Sequence, residues 1–572
     1  KTNTMGLTGA LQIGRSGLLA NQAALEVTGN NLANIATPGY HRQSITLTPI
    51  KDQMIQQGIF VGRGVAIQQI VRQVNEALEQ RLRGDISDEA ATLARQGVLQ
   101  QIESIHGELT DIDLTTELSE LFNAFSELAN DPNDFSLRTL VTRKAESLSQ
   151  FIRNLRSELV NLRSQTDTDI DDAAKAADDM LTRIEELNQQ IVKAENGSGG
   201  AHALRDQRDI LLQELSQYVD ISIVEQGNGA VDVFVGAMPI ILNGKSRGLE
   251  LQRETIDGQL SISLEVKADG TRVQATSGRL GALVASRDTD VTAALDFLDS
   301  FANNLIYEVN RIHSQGQGVS GFDSVTGATR VTDATAALND VAAGIGFTPD
   351  HGSFQIHVTQ KSTGQRVSSQ IAVDLDGINA ATDTTLTSLT ASIDAVANLS
   401  ATITADGRLR ITADANDFEI SFSDDSSGVL AALGINTFFT GSGAGDIGVN
   451  PTVTANPGKV AAATEHVQGD NRAALALANL RNAALDALGG LSLTETWNRH
   501  IADFAVRLGQ TSEAAEADTL VRESLEAQQQ SFSGVNSDEE AVNLLSYQRA
   551  YQGSARFLTV VDELFQTLLG LL

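Results

Sequence analysis

Both ends of this 572-residue chain carry apolar residues at heptad spacing, and this constrains its fold more than anything that lies between them. Near the C-terminus Leu544, Tyr551, Leu558, Phe565 and Leu572 recur every seven residues, and Tyr547, Ser554, Val561 and Leu568 follow the first four at an interval of three. That a/d pattern predicts a continuous helix with a single apolar seam. At the N-terminus Leu11, Leu18, Leu25 and Leu32 repeat with the same period, flanked by Ala20, Ala23, Ala24 and Ala33, in a segment free of proline as far as Pro38. A helix with one apolar stripe needs something to cover it. The spacing therefore predicts that the terminal helices pair with each other inside the chain or with the same helices of neighbouring copies.

Charge and composition narrow the class of molecule. Forty-one Lys and Arg against 73 Asp and Glu leave a formal charge of -32, which repels phosphate backbones and anionic membranes, so nucleic acid is not an expected partner. Seven prolines and an aromatic content of 4% favour long helices over a compact aromatic core. The absence of cysteine excludes disulfides, thiolate metal sites and cysteine nucleophiles. No apolar run reaches the roughly 18 residues of a spanning helix, so membrane insertion is not expected. The segment after Lys1 has no apolar stretch leading to a small-residue cleavage site, so export is expected to proceed without a cleaved leader.

The fold class expected is multidomain α+β. Residues 1–70 with 531–572 are predicted to form a terminal coiled-coil domain. Residues 71–215 with 286–317 and 470–530 are predicted to form a long helical-bundle rod. Residues 216–285 read as a small β domain, and 318–469 as an outer β-rich insertion. The clearest helix is Phe135 to Glu195, where Val141, Leu148, Leu155 and Leu162 hold one track and Ala145, Ile152 and Leu159 the other. The stripe resumes at Ile170, Ala177, Ile184 and Ile191. A helix of that length spans on the order of 80 Å, so companions are expected from Val71 to Leu109, Val291 to His313 and Arg472 to Gln530.

Motifs for chemistry are weak. His351 and His357 share strand parity, but no acidic third ligand lies near them in sequence. Gly441 to Gly445 is glycine-rich without the Lys-Ser/Thr of a phosphate loop, and reads as a flexible loop. Asp414, Asn416 and Asp417 lack the rest of a calcium loop. No nucleophile, base and orienting group come together, so neither enzymatic activity nor a cofactor or metal is expected. Ser537 at an N-cap with Glu540 three residues on predicts a capping box that starts the last helix.

Asn30-Asn31-Leu32-Ala33-Asn34-Ile35-Ala36-Thr37-Pro38-Gly39-Tyr40 resembles the N-terminal signature of bacterial flagellar axial proteins, the rod, hook and hook-associated family. Ser533-Gly534-Val535-Asn536, Glu539-Glu540, Gln548-Arg549-Ala550-Tyr551 and Asp562-Glu563-Leu564 resemble its C-terminal counterpart. Within that family, Leu204 to Asp209 and Gly469-Asp470-Asn471 are similar to the members that join hook to filament. The resemblance implies a structural subunit outside the cell. It also implies a self-assembled ring, contacts with hook protein and the third hook-associated protein, and an export chaperone on the C-terminal helix. Alternatives from the sequence are a hook or distal rod subunit, and a secreted adhesin or hydrolase carried by 318–469.

Overall fold

The computed structural model describes residues 2–56, 59–107, 113–195, 200–256, 259–378, 382–465, 467 and 469–570. Leu572, the last member of the C-terminal heptad track, and Leu109 lie outside them. Its helices in chain order are α1 (Thr2–Ala33), α2 (Glu76–His106), α3 (Leu114–Asn130), α4 (Phe135–Glu195), α5 (His202–Ser216), α6 (Gly278–Ala285), α7 (Thr292–His313), α8 (Leu386–Asp394), α9 (Val429–Ala432), α10 (Pro451–Ala455), α11 (Arg472–Asn479), α12 (Leu493–Ser533) and α13 (Ser537–Gly570). The chain forms two compact units.

The first unit comprises Lys1–Val98, Thr166–Ser286 and Gln510–Leu572. Here α1 packs on α13. Strand β1 (Gln43–Pro49) follows, then the hairpin of β2 (Gln53–Gln56) and β3 (Ile59–Val61), and β4 (Val65–Arg72) returns antiparallel to β1. The opening turns of α2 meet the later part of α12 through Leu82, Ile86 and Leu525. A four-stranded sheet, β5 (Ile221–Glu225), β6 (Val231–Val235), β7 (Met238–Leu242) and β8 (Lys245–Ser246), and a three-stranded one, β9 (Leu249–Ile256), β10 (Gln259–Val266) and β11 (Thr271–Val273), complete the unit. Buried Asn188 on α4 binds the four-stranded sheet: its Nδ2 donates to Val231 O at 3.0 Å, and its Oδ1 accepts Val231 N–H at 3.0 Å.

The second unit comprises Leu99–Gln165 and Arg287–Gly509. Helix α11 packs against α3 and α7. The β region contains β12 (Ser324–Thr326), β13 (Gly352–Gln360), β14 (Arg366–Val373), β15 (Leu399–Ile403), β16 (Leu409–Ala413), β17 (Phe418–Ser423), β18 (Phe439–Thr440) and β19 (Gly448–Val449). Its two three-stranded sheets run β14-β13-β17 and β12-β16-β15, and they enclose one core that includes Phe354, Ile356, Ile411, Phe422 and Leu389 of α8.

Helix α4 has the bounds that its heptads predict, and every track residue from Val141 to Ile191 is buried. The helix holds neither Gly nor Pro over its 61 residues, so nothing interrupts the ladder. Its start is fixed by Asp134, which accepts Ser136 N–H at 2.6 Å. Two predicted helices differ from expectation. The region from Arg472 to Gln530 is not continuous: α11 ends at Asn479 and α12 begins at Leu493, because Gly489 and Gly490 take left-handed φ of 67° and 84° between them. The helix expected from Val71 begins at Glu76, because residues up to Arg72 complete the β1–β4 ladder.

Candidate assembly site at the paired terminal helices

The helices at the two ends of the chain meet along a seam that is bulky on one side and small on the other. Along α13 the inward line is the predicted one: Val561 is buried and Leu544, Tyr547, Tyr551, Leu558, Phe565 and Leu568 are partly buried. Along α1 the leucine track is not the inward line, so of the two pairings the spacing allows it does not make the one inside the chain. Leu11 and Leu32 are 41% and 39% exposed, and Leu18 and Leu25 are half-buried. Gly14, Ala20, Ala24, Val27, Thr28 and Asn31 are buried instead. A Cβ placed on Gly14 would sit 2.8 Å from Leu558 Cδ2, and one on Gly17 would sit 3.2 Å from Ser554 Oγ. Small residues let the backbones approach until α13 side chains fill the space between, and a leucine facing inward there would hold the helices apart.

At the base of this pair the asparagine-rich motif closes a polar latch. Asn31 is 1% exposed, and all four of its hydrogen bonds are made. Its Oδ1 accepts Gln43 N–H at 3.0 Å and Tyr40 O–H at 2.8 Å, and its Nδ2 donates to Gln43 O at 2.8 Å and Glu540 Oε2 at 3.1 Å. Burial, with the Asp206 and Glu540 charges, pushes the Tyr40 phenol up to about 12, so the hydroxyl keeps its proton for Asn31. Arg42 Nε donates to Glu540 Oε1 at 3.0 Å, and its Nη1 donates to Glu539 Oε2 at 3.0 Å. Glu540 is therefore not a capping-box residue, a correction to the sequence reading. The N-cap of α13 is Asn536, whose Oδ1 accepts Asp538 N–H at 2.9 Å, one residue before Ser537. Glu540 is buried and turned to Asn31 and Arg42, where its charge has partners that the helix end does not offer.

The other asparagines act locally. Asn34 Nδ2 donates to Asn30 O and Oδ1, both at 2.9 Å, and Thr37 Oγ1 donates to Asn34 Oδ1 at 3.2 Å, which binds the end of α1 to the turn at Thr37-Pro38-Gly39. Gly39 has φ +70°, and a Cβ there would lie 2.5 Å from Ile210 Cγ1 on α5. Gly39→Ala is expected to destabilise this region by roughly 2–4 kcal/mol, from left-handed strain plus overpacking. Hydrogen exchange in peptides covering 30–43 measures it, and unchanged protection would show that Ile210 yields freely.

Beneath the turn lies a buried ion network. His41 Nδ1 is 2.8 Å from Asp206 Oδ1 and its Nε2 is 3.7 Å from Glu79 Oε1, while Arg72 Nη1 reaches Asp206 at 2.6 Å and Asp209 at 2.7 Å. Burial by itself lowers the His41 pKa, but hydrogen bonds to Asp206 and Glu79 outweigh it and raise the group to about 9. Gln529 of α12 donates to Glu79 Oε1 at 2.6 Å, so the network joins β4, α2, α5 and α12. His41, Asp206 and Asp209 have the composition of a metal site. Arg72 holds both aspartates, however, and its fixed positive charge disfavours a cation there.

Comparison with known proteins places these features. Residues 99–329 match the model of the flagellar hook-associated protein FlgK helical domain. Residues 527–571 match the flagellar basal body rod FlgEFG protein C-terminal model, and 11–41 match the flagella basal body rod protein model. The chain is 25% identical to flagellar hook-associated protein 1 of Escherichia coli over 97% of its length and 98% of the relative's. It is 26% identical to the Bacillus subtilis protein of that name, over 59% of this chain and 74% of the relative. Over nearly its whole length the chain is similar to flagellar hook-associated proteins. A solved structure described as the flagellar hook junction protein FlgK from Burkholderia pseudomallei shares the fold, with TM-score 0.53, 15% identity, and coverage of 79% of this chain and 100% of that one. The relatives are structural components of the flagellum, and no described helix is long and apolar enough to cross a membrane.

The remaining motifs of the chain have structural employment. In the Leu204–Asp209 segment Arg205 Nε pairs with Glu195 at 2.7 Å, Arg208 donates to Asn188 Oδ1 and Gly229 O at 3.1 and 2.6 Å, and Asp206 and Asp209 belong to the His41 network. Asp470 accepts the N–H groups of Thr464, Glu465 and Arg472, and Asn471 Nδ2 donates to Ala129 O at 2.7 Å. In the glycine-rich loop, Asp446 accepts the N–H groups of Ser442 and Gly443 at 2.8 and 3.0 Å, and Asp299 accepts that of Ala444 at 3.0 Å. The donors an anion would need are therefore already used. Asp417 is held by Ser362 and Gln360, and His357 lies between Ser368 and Ser423. His41 and Arg72, absent from the sequence reading, were findable only as a histidine and an arginine flanking strands.

Proposed function

We propose that this chain is a structural subunit of the junction between hook and filament, and that its copies join through the outer faces of the paired terminal helices. The observation that carries this reading is a line of apolar residues on α13 outside its buried seam: Val542, Leu545, Val560 and Leu564 are all exposed. A soluble helix that has already covered its seam gains nothing from a second apolar line unless another molecule covers it. Burying each of these side chains is worth roughly 1.5 to 3 kcal/mol. The half-exposed Leu11, Leu18, Leu25 and Leu32 give α1 a matching outward line. In this reading residues 1–70 with 531–572 are the assembling part and 318–469 face outward. Hook protein lies on one side, the third hook-associated protein lies on the other, and an export chaperone covers α13 before assembly.

The test is electron microscopy of a strain lacking the chain, complemented with wild type or with Leu545→Asp plus Leu564→Asp. Finished hooks without filaments, and flagellin shed to the medium, are expected for the deletion and for the double variant, whose isolated chain stays folded. Absent or unfinished hooks would move the protein down the axis to hook or rod. Filaments restored by the double variant would remove the outer stripe as the joining surface.

A further inference from the structure

We propose that the groove lined by strands β4 and β5 binds an extended acidic segment of another protein chain, which adds alongside β4 and sets a carboxylate against Arg83. The groove lies wholly within the first unit and has a volume of about 950 Å³. One wall is β4 from Ile67 to Arg72, and another includes Ile223 and Glu225 of β5. Each strand ends its sheet: among the described residues β4 pairs only with β1, and β5 only with β6. A strand bonded on one side alone offers backbone groups on the other that a further extended chain can take. His202 of α5 bonds the backbone of Ile70, so the stretch open to a newcomer is Ile67 to Gln69, and all three of its side chains are exposed.

Arg83 of α2, which also lines the groove, supplies the demand for an anion. It is 9% exposed, its Nε has no hydrogen-bond partner, and its nearest carboxylate among the described ion pairs is Glu79 Oε2, 3.9 Å from Nη1. Glu79 is already engaged by Gln529 at 2.6 Å and Gln213 at 3.2 Å. Two more carboxylates of the lining are committed as well, Asp209 to Arg72 at 2.7 Å and Glu225 to Arg205 at 2.9 Å, and Glu76 is exposed. Burial outweighs the attraction of Glu79, Asp209 and Glu76, and holds the Arg83 guanidinium below the ordinary arginine range. Arg208, 1% exposed, adds a second guanidinium to the lining with an unpartnered Nε. A buried ion without a close partner is costly, and a carboxylate brought from outside recovers part of that cost. A free inorganic anion would use Arg83 but neither strand edge, whereas an acidic extended chain uses both.

Fluorescence anisotropy of a labelled six-residue peptide alternating leucine and glutamate, titrated with the full chain, tests the groove. Saturable binding is expected, weakened by added salt and weakened at least about tenfold in Arg83→Gln through loss of one charge-assisted contact. Gln68 is exposed on the β4 wall, so its variants leave the fold alone: Gln68→Lys should tighten binding and Gln68→Glu should loosen it. With peptide bound, amide exchange should slow over 65–72, a mark of strand addition that needs no variant. No saturable binding by the wild type, equal binding of a peptide alternating leucine and glutamine, equal binding by Arg83→Gln, or unchanged exchange over 65–72 would each overturn the assignment.

Discussion

Asp206→Ala should destabilise the first unit by about 3–5 kcal/mol at neutral pH, the cost of leaving buried cations without their counter-charge. Its Oδ1 serves His41 and Arg72 together, at 2.8 and 2.6 Å, in a site where all three side chains are at most 10% exposed. Arg72 keeps Asp209, but His41 loses the partner that does most to raise its pKa to about 9, and retains only the longer contact to Glu79. The loss should be smaller in Asp206→Asn, which restores an acceptor without the charge. Denaturant unfolding combined with hydrogen exchange over 38–43 and 202–212 reads it out; a loss below about 1 kcal/mol would mean that the network is not a structural tie. The pH dependence has a definite sign. Because the folded pKa of His41 lies above its ordinary value of about 6.5, its stabilising contribution is complete below that value and disappears as pH rises through about 9.

The second unit should fail at the opposite end of the scale. Its only tryptophan, Trp497, is buried in a cage with His106, His500, Phe297, Phe301 and, through His106, Phe504. Burial pushes His106 and His500 down to about 4, and His106 Nδ1 and His500 Nε2 have no hydrogen-bond partner. Burial also holds His313 at about 4, and there both ring nitrogens are committed: Nδ1 donates to Asn436 O at 2.8 Å and Nε2 accepts Ala461 N–H at 2.9 Å. A proton on His313 Nε2 would evict that amide. Folded pKa values below the ordinary one mean stability that is present above about pH 6.5 and lost as pH falls toward 4, on the order of 3 kcal/mol for each fully buried ring. Trp497 fluorescence during urea titrations at pH 7, 5.5 and 4.5 should show the midpoint falling steeply. A midpoint independent of pH over that window would contradict the neutral, buried assignment.

The heptads on α4 and α13 predict their buried faces because large side chains at a constant period have one way to be covered. The α1 heptad does not mark the seam with α13. Sequence weight follows bulk, whereas this seam is made by residues notable for having none, and Gly14, Ala20 and Ala24 become legible only beside Leu558 and its neighbours. The capping box fails because Glu540 has a choice of partners, and Asn31 and Arg42 are about 500 positions away along the chain. The His41 network is invisible to any local pattern, since its members come from four elements joined only by folding. By contrast, the break before α12 is written in Gly489-Gly490, a local signal of backbone freedom.

The pairing of α1 with α13 also sets an order of events. Asn21 and Ser554, in contact across the seam, are separated by 533 positions. Contacts between such distant segments are closed at the expense of the chain's freedom and form late, after the local helices and hairpins between them. When the chain is presented from its N-terminus, α1 waits with its glycine and alanine stripe bare until the last helix arrives. A chain cut short anywhere before α13 is thus left with that stripe uncovered.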